Sequence, residues 1–102
     1  MGYWMMDLNS LAEKLSALGH PTRLKIITEL TKGENYLSSL AKSVGVSRAL
    51  AKIHLQKLQN TDLVESRVVV MEDEARARRF YKLKDFDIHI SNKLLARRDK
   101  NE

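Results

Sequence analysis

The spacing of apolar residues predicts a chain built mostly from amphipathic helices. Apolar side chains recur three or four positions apart over residues 7–18, 21–32, 37–44 and 47–59, which is the spacing of one helix face. Gly19, Gly33 and Gly45 follow the first three segments, as is common where helices end. Residues 64–71 are rich in β-branched side chains and residues 80–83 form a second short run, which predicts two strands. A last helix is expected over about residues 85–99.

Residues 37–60 are predicted to form two helices joined by a tight turn. Gly45 can leave the first helix with a positive φ at little cost, and Ser47 is a good N-cap for the second. The predicted buried stripe of the second helix consists of Ala51, His54, Leu55 and Leu58. Residues 47–59 contain three basic side chains and no acidic one, so the opposite face suits a groove lined by phosphates. This pattern is typical of a helix-turn-helix.

The two strands follow directly after this second helix, which is the position of the wing in a winged helix. We therefore predict an α+β fold, mainly α: a winged helix-turn-helix with a two-stranded wing, in one domain over residues 1–102. Its predicted parts are the first two helices at 7–32, the helix-turn-helix at 37–60, the wing at 64–83 and a terminal helix at 85–99.

Charge and composition favour an acidic partner and exclude several other classes of function. The formal net charge of +5 makes nucleic acid the commonest type of partner. With no cysteine, the chain has no disulfide, thiolate metal site or cysteine nucleophile. No apolar run is long enough to span a membrane, and residues 1–8 lack a secretory signal, so a cytoplasmic protein is expected.

No catalytic constellation is visible, so we expect neither an enzyme nor a cofactor. The three histidines lie in separate predicted elements without a serine–acid framework, and there is no glycine-rich phosphate loop. His54 adjoins the buried stripe and is expected to be a hydrogen-bonded core histidine. His20 precedes Pro21 and is expected to mark the entry to the second helix.

Two segments resemble the ArsR family of winged-helix repressors. ALGHPTRLKIITEL, residues 17–30, is similar to the first half of these proteins, and VSRALAKIHLQKLQNTDLV, residues 46–64, is similar to their recognition helix and strand entry. With the wing, the resemblance covers about residues 8–90. It implies a DNA-binding transcriptional regulator, a repressor acting as a homodimer, with helices at both ends of the chain forming the dimer interface. The residues expected at this interface are Trp4, Met5, Leu8, Leu11, Leu15, Ile90, Leu94 and Leu95. Residues 1–6 could instead pack against their own domain.

The chain departs from the metal-sensing members of that family, so no metal is expected. Residues 37–41, where many members carry cysteines, read LSSLA. Asp87 and His89 resemble half of a carboxylate–histidine site, but Lys100 stands where the second histidine is expected. One Asp–His pair cannot fill a four-coordinate zinc shell.

Double-stranded DNA is the expected partner, with base contacts and backbone contacts made by different residues. The predicted base contacts, near the front of the recognition helix, are Arg48, Ala49, Lys52 and Ile53. The predicted backbone contacts are Arg23, Ser38, Lys42, Ser47, Gln56, Lys57, Arg76, Arg78 and Arg79. In the wing, the acidic residues 72–74 are expected to stay in solvent while the arginines contact DNA; a solvated, salt-bridged hairpin is the alternative.

Two other functions fit the same sequence. One is an architectural protein that coats DNA with little sequence preference. The other is a winged helix that serves as a protein-interaction module, with its basic face against an acidic partner.

Overall fold

Five helices and three strands make up the part of the chain that the computed structural model describes, residues 7–70 and 77–101. In chain order the elements are α1 (Leu8–Leu18), α2 (Pro21–Leu30), β1 (Asn35–Tyr36), α3 (Leu37–Val44), α4 (Arg48–Asn60), β2 (Val64–Val70), β3 (Ala77–Leu83) and α5 (Asn92–Asn101). The order of helices followed by a hairpin is that of the predicted winged helix-turn-helix. None of these helices is long and apolar enough to cross a membrane.

Local capping explains where the first helices begin and end. Asp7 accepts a hydrogen bond from the Ser10 N–H, and the Ser47 hydroxyl accepts one from the Leu50 N–H, so both side chains satisfy free first-turn donors. His20 caps α2 in the same way: its Nδ1 accepts from the Thr22 N–H at 3.1 Å. Gly45 ends α3 in the left-handed conformation, with φ 76° and ψ 37°, and thereby sets the turn into α4.

The sheet has one more strand than the predicted wing. It is antiparallel with the order β1-β3-β2, and β3 pairs with β2 from Val64↔Leu83 to Val70↔Ala77. The short β1 pairs with the other edge of β3 through Asn35↔Tyr81 and Tyr36↔Phe80. Because every residue of β2 has a partner, β3 begins at Ala77, three positions before the strand expected from the apolar run alone.

The core lies between α2, α3, α4 and the base of the hairpin. Its most deeply buried large side chains are Ile26, Leu40, Leu55, Leu58, Leu63 and Tyr81. On α4 the buried residues are the four of the predicted stripe, Ala51, His54, Leu55 and Leu58. The prediction of which face of α4 packs inward is therefore confirmed.

The terminal helix begins later than predicted, which corrects its expected start at residue 85. The Ser91 hydroxyl accepts a hydrogen bond from the Leu94 N–H and caps a helix whose first residue is Asn92. Residues 84–91 are not helical, so Ile90 precedes the helix. The stretch from Phe86 to Ile90 alternates apolar and polar residues, a pattern with a period of two that does not build a helix face.

Candidate nucleic-acid interface

The four residues predicted to contact bases all lie on the exposed face of α4. Arg48, Ala49 and Lys52 are exposed, and Ile53 is 63% exposed although it is apolar. Leu50 is also exposed on the first turn of this helix, although it is not among the predicted contacts. Because Ser47 fixes the start of α4 and the buried stripe fixes its rotation, these side chains project from the domain together.

The cations of α4 have no carboxylate partner among the described residues. The ion pairs between described residues join Lys32 to Glu29, Arg67 to Glu34 and Lys84 to Asp62, and none of these residues belongs to α4. Arg48, Lys52 and Lys57 therefore keep their full charge available at the surface, which is the arrangement that attracts a polyanion.

A basic cleft lies beside the start of α4. It has a volume of about 340 Å³ and is lined by Ser38 at the start of α3, by Arg48, and by Arg78 and Arg79 of the wing, together with Tyr36, Leu37 and Ala77. The guanidinium of Arg78 lies 4.5 Å from the ring centroid of Tyr36, a cation–π distance that orients it. No side chain of the described residues caps α3, which leaves its first-turn N–H groups without a side-chain acceptor there. The cleft is thus lined by three arginines and the start of a helix.

Ser66 connects α4 to the wing, a link that sequence reasoning missed. Its hydroxyl accepts hydrogen bonds from Gln59 Nε2 at 3.0 Å and from Arg79 Nη1 at 3.1 Å. Gln59 is in the last turn of α4 and Arg79 lines the basic cleft, so the wing and the helix are held in one arrangement. These contacts join residues seven and thirteen positions apart, and periodicity gives no signal for them.

The other predicted backbone contacts are distributed around these features. Lys42, Ser47, Gln56 and Lys57 are exposed on α3, at the start of α4 and along it. Arg76 lies outside the described residues, as do the acidic residues 72–74.

Arg23, another predicted backbone contact, uses its guanidinium within the domain. Nε donates to the carbonyl oxygen of Ala17 at 2.6 Å, Nη2 donates to that of Ser16 at 3.3 Å, and Nη1 lies 3.2 Å from Nδ1 of His54. Each nitrogen of the side chain thus has a partner in α1 or α4. This engagement favours a structural role for Arg23 over the predicted phosphate contact.

His54 is the hydrogen-bonded core histidine that the sequence predicted. It is 7% exposed, and its ring centroid lies 4.6 Å from that of His20. Burial lowers the pKa of His54, and the nearby charges of His20 and Arg23 lower it further. The ring is therefore held neutral at pH 7.

Apolar side chains are uncovered at both ends of the chain. Leu8 and Leu15 of α1, Ile90 and Leu95 are exposed, while Leu11 and Leu94 are half-buried. The described chain measures 57 × 24 × 21 Å, and α5 makes few contacts with the other described elements. Trp4 and Met5, also predicted at a dimer interface, lie outside the described residues.

The described residues contain no group of three or more side chains placed to hold a metal ion. Asp87 Oδ1 and His89 Nε2 lie 2.9 Å apart, within hydrogen-bond distance, in the non-helical stretch before α5.

Similarities to known proteins agree with this geometry. Residues 20–66 match the model of a family described as bacterial regulatory protein, arsR family. The chain is 37% identical over 97 residues to an uncharacterized HTH-type transcriptional regulator of Methanocaldococcus jannaschii, an alignment that covers 95% of this chain and all of that protein.

Solved structures resemble the fold as well. The homodimeric winged helix-turn-helix DNA-binding domain of a possible ArsR-family transcriptional regulator from Mycobacterium bovis has a TM-score of 0.64 at 30% identity, covering 74% of this chain and 65% of that one. NolR from Sinorhizobium fredii has a TM-score of 0.62 at 28% identity, covering 91% of this chain and 81% of that one.

Proposed function

Because this chain belongs to the ArsR family of bacterial regulatory proteins, a family of transcription regulators and not of enzymes, we propose that it binds specific double-stranded DNA as a homodimer and represses transcription in the cytoplasm. The observation that carries this proposal is the exposed face of α4, where Arg48, Lys52 and Lys57 have no carboxylate partner among the described residues. A helix held by its apolar stripe with such a face outward suits the major groove.

Sequence is read, in this proposal, by the first turns of α4. Arg48 can donate two hydrogen bonds to a guanine, and Ala49 and Ile53 can contact thymine methyl groups. The exposure of Ile53 supports this role, because contact with a thymine methyl group would remove its apolar surface from water and so lower the free energy of the complex. Lys52 lies on the same face and completes the base-contacting set.

The basic cleft is where we propose that a backbone phosphate binds. Arg78, Arg79 and the N-terminus of α3 line it beside Arg48, and both the arginines and the helix N-terminus favour an anion. Arg78 and Arg79 would then place the wing along the backbone or the minor groove. Lys42, Ser47, Gln56 and Lys57 would contact neighbouring phosphates, whereas Arg23 is removed from this set.

Homodimerisation is proposed from the uncovered apolar residues of α1 and of residues 90–95, together with the homodimeric state of the Mycobacterium bovis relative. Two-fold symmetry would space two α4 helices by about one DNA turn, roughly 34 Å, and would require a pseudo-palindromic site. Repression is proposed from the resemblance to ArsR-type repressors.

Selection of bound sequences from a random DNA pool tests the proposal, followed by titration of the selected duplex and a random duplex at two salt concentrations. We expect a pseudo-palindromic consensus bound about 1,000-fold or more tightly than random DNA. Equal affinity for both duplexes would instead indicate an architectural protein. Absence of DNA binding at low salt would leave the protein-interaction module, and a monomer in sedimentation at micromolar concentration would contradict the homodimer.

A further inference from the structure

We infer that Arg23 is a positioning residue for DNA recognition, which sets the orientation of α4 through His54 and does not touch DNA. The expected effect on DNA affinity rests on the proposed function. The positioning of α4 by Arg23 rests only on contacts within the domain. The inference assigns a role to a predicted phosphate contact whose guanidinium is bonded to α1 and α4.

One guanidinium connects three helices. Arg23 belongs to the first turn of α2, its Nε and Nη2 contact carbonyl oxygens of Ala17 and Ser16, and its Nη1 contacts the His54 ring of α4. The two carbonyl groups belong to the last turn of α1, where the helix dipole favours a cation, and that of Ser16 also accepts a hydrogen bond from the Gly19 N–H at 3.3 Å. The arginine therefore fixes α4 relative to the end of α1.

The contact also fixes the protonation state of His54. Arginine is a donor only, so the Nδ1 atom 3.2 Å away must be the acceptor, and the ring must carry its proton on Nε2. A proton on Nδ1 of His54 would point at the Nη1 donor of Arg23, so that two donors would face each other beside the positive guanidinium group. The charged and titratable groups that act on this ring are His20, the N-cap of α2, and Arg23 in its first turn. Lys14 of α1 is directed elsewhere, to the carbonyl oxygen of Thr61.

The placement of His54 makes it a sensitive point for DNA binding. It lies in the middle of α4, on the face opposite to Lys52 and Ile53, and is 7% exposed. A helix is rigid over this length, so a rotation of about 10° would move groups about 6 Å from its axis by about 1 Å. A displacement of that size is enough to weaken hydrogen bonds between side chains and base edges.

The salt dependence of binding separates positioning from direct phosphate contact. Each phosphate contact contributes about 0.9 to the slope of log K against log salt. For Arg23→Met and Arg23→Lys we expect about tenfold weaker binding to the selected duplex, the effect of one lost charge-assisted hydrogen bond, with the slope unchanged. Lys25→Met, which removes an exposed cation from the same helix, is the matched control and should leave affinity within about twofold.

The histidine provides a conservative rescue. His54→Asn can present an amide oxygen near the position of Nδ1 and should bind within about threefold of the wild type, whereas His54→Leu should match the loss of Arg23→Met. The double variant Arg23→Met/His54→Leu should be no weaker than either single variant, because both remove the same contact.

The inference would be overturned in favour of a phosphate contact if the slope of log K against log salt were smaller by about 0.9 in Arg23→Met and were restored in Arg23→Lys. Unchanged affinity in Arg23→Met would overturn it too. If Arg23→Met does not fold, the comparison of His54→Asn with His54→Leu decides, and equal affinities there would contradict the mechanism.

A measurement without DNA separates this inference from the proposed function. Nitrogen NMR of the histidine rings in the free protein at pH 7 should give His54 as the Nε2–H tautomer, and Arg23→Lys should change its Nδ1 signal. A protonated ring or an Nδ1–H tautomer would refute the mechanism even if the wild type binds DNA. Failure of the wild type to bind DNA, with the expected tautomer present, would refute the proposed function instead.

Discussion

Arg48→Ala is the substitution that tests the reading of bases most directly. Arg48 is the first residue of α4, is exposed and makes no hydrogen bond or ion pair with any residue that the structure describes. Its removal should therefore change the free energy of unfolding by no more than about 0.5 kcal/mol. A bidentate contact to guanine contributes about 1–3 kcal/mol of discrimination, which corresponds to a loss of about 5-fold to 150-fold at one base pair.

Fluorescence anisotropy on the selected duplex and on its single-base variants measures this effect. The wild type should discriminate against changes at one guanine in each half-site, and Arg48→Ala should lose that discrimination while it keeps the preferences at other positions. Lys25→Ala, an exposed cation outside the proposed interface, should leave every preference unchanged. Equal weakening on all duplexes, with a salt slope lower by about 0.9, would make Arg48 a phosphate contact of the basic cleft and refute the reasoning.

Three further predictions concern stability, each measured by urea unfolding. Burial lowers the pKa of His54 in the folded protein below the value of about 6.5 expected in the unfolded chain. Its contribution to the free energy of unfolding is therefore complete above about pH 6.5 and is lost as the pH falls from there through the lower folded-state pKa. His54→Leu should flatten this pH dependence, and an unaltered pH profile in that variant would contradict the prediction. Gly45→Ala adds a methyl group that meets nothing within 4 Å, so only the left-handed backbone at φ 76° is penalised, by about 1–2 kcal/mol, and a loss above about 3 kcal/mol would disprove that cause. Asp62 has φ 63° and pairs with Lys84, so Asp62→Gly should be more stable than Asp62→Ala by about 1 kcal/mol, and the opposite order would exclude backbone strain.

The helix-turn-helix could be predicted from the sequence because its signals are local. Gly45 and Ser47 each determine the conformation of one turn, and the spacing of the buried stripe repeats within one helix. The residues of α4 outside this stripe are then the exposed ones. No distant part of the chain has to be known for any of these steps.

The errors arose where long-range pairing or a different period decided the outcome. Pairing with β2 extends β3 back to Ala77, through charged residues that carry no strand signal of their own. The alternation at Phe86–Ile90 has the period of an extended chain, and reading its apolar residues as a helix face placed the start of α5 seven residues too early. The cleft beside α4 could not be predicted either, because it is formed by residues from α3, α4 and β3.

The contact between Arg23 and His54 had a signal in the sequence, and that signal lies at His54. A histidine within a buried stripe must have a hydrogen-bond partner, because an unsatisfied buried ring nitrogen is costly. The leucines and alanine that share the stripe with His54 cannot supply one, so the donor had to come from another helix. Arg23 satisfies this requirement across 31 positions of sequence, and the contact joins the two segments, residues 17–30 and 46–64, that carry the family resemblance. These segments therefore meet physically at the buried side of α4, so that the resemblance describes one packed unit whose outward face is the proposed DNA-reading surface.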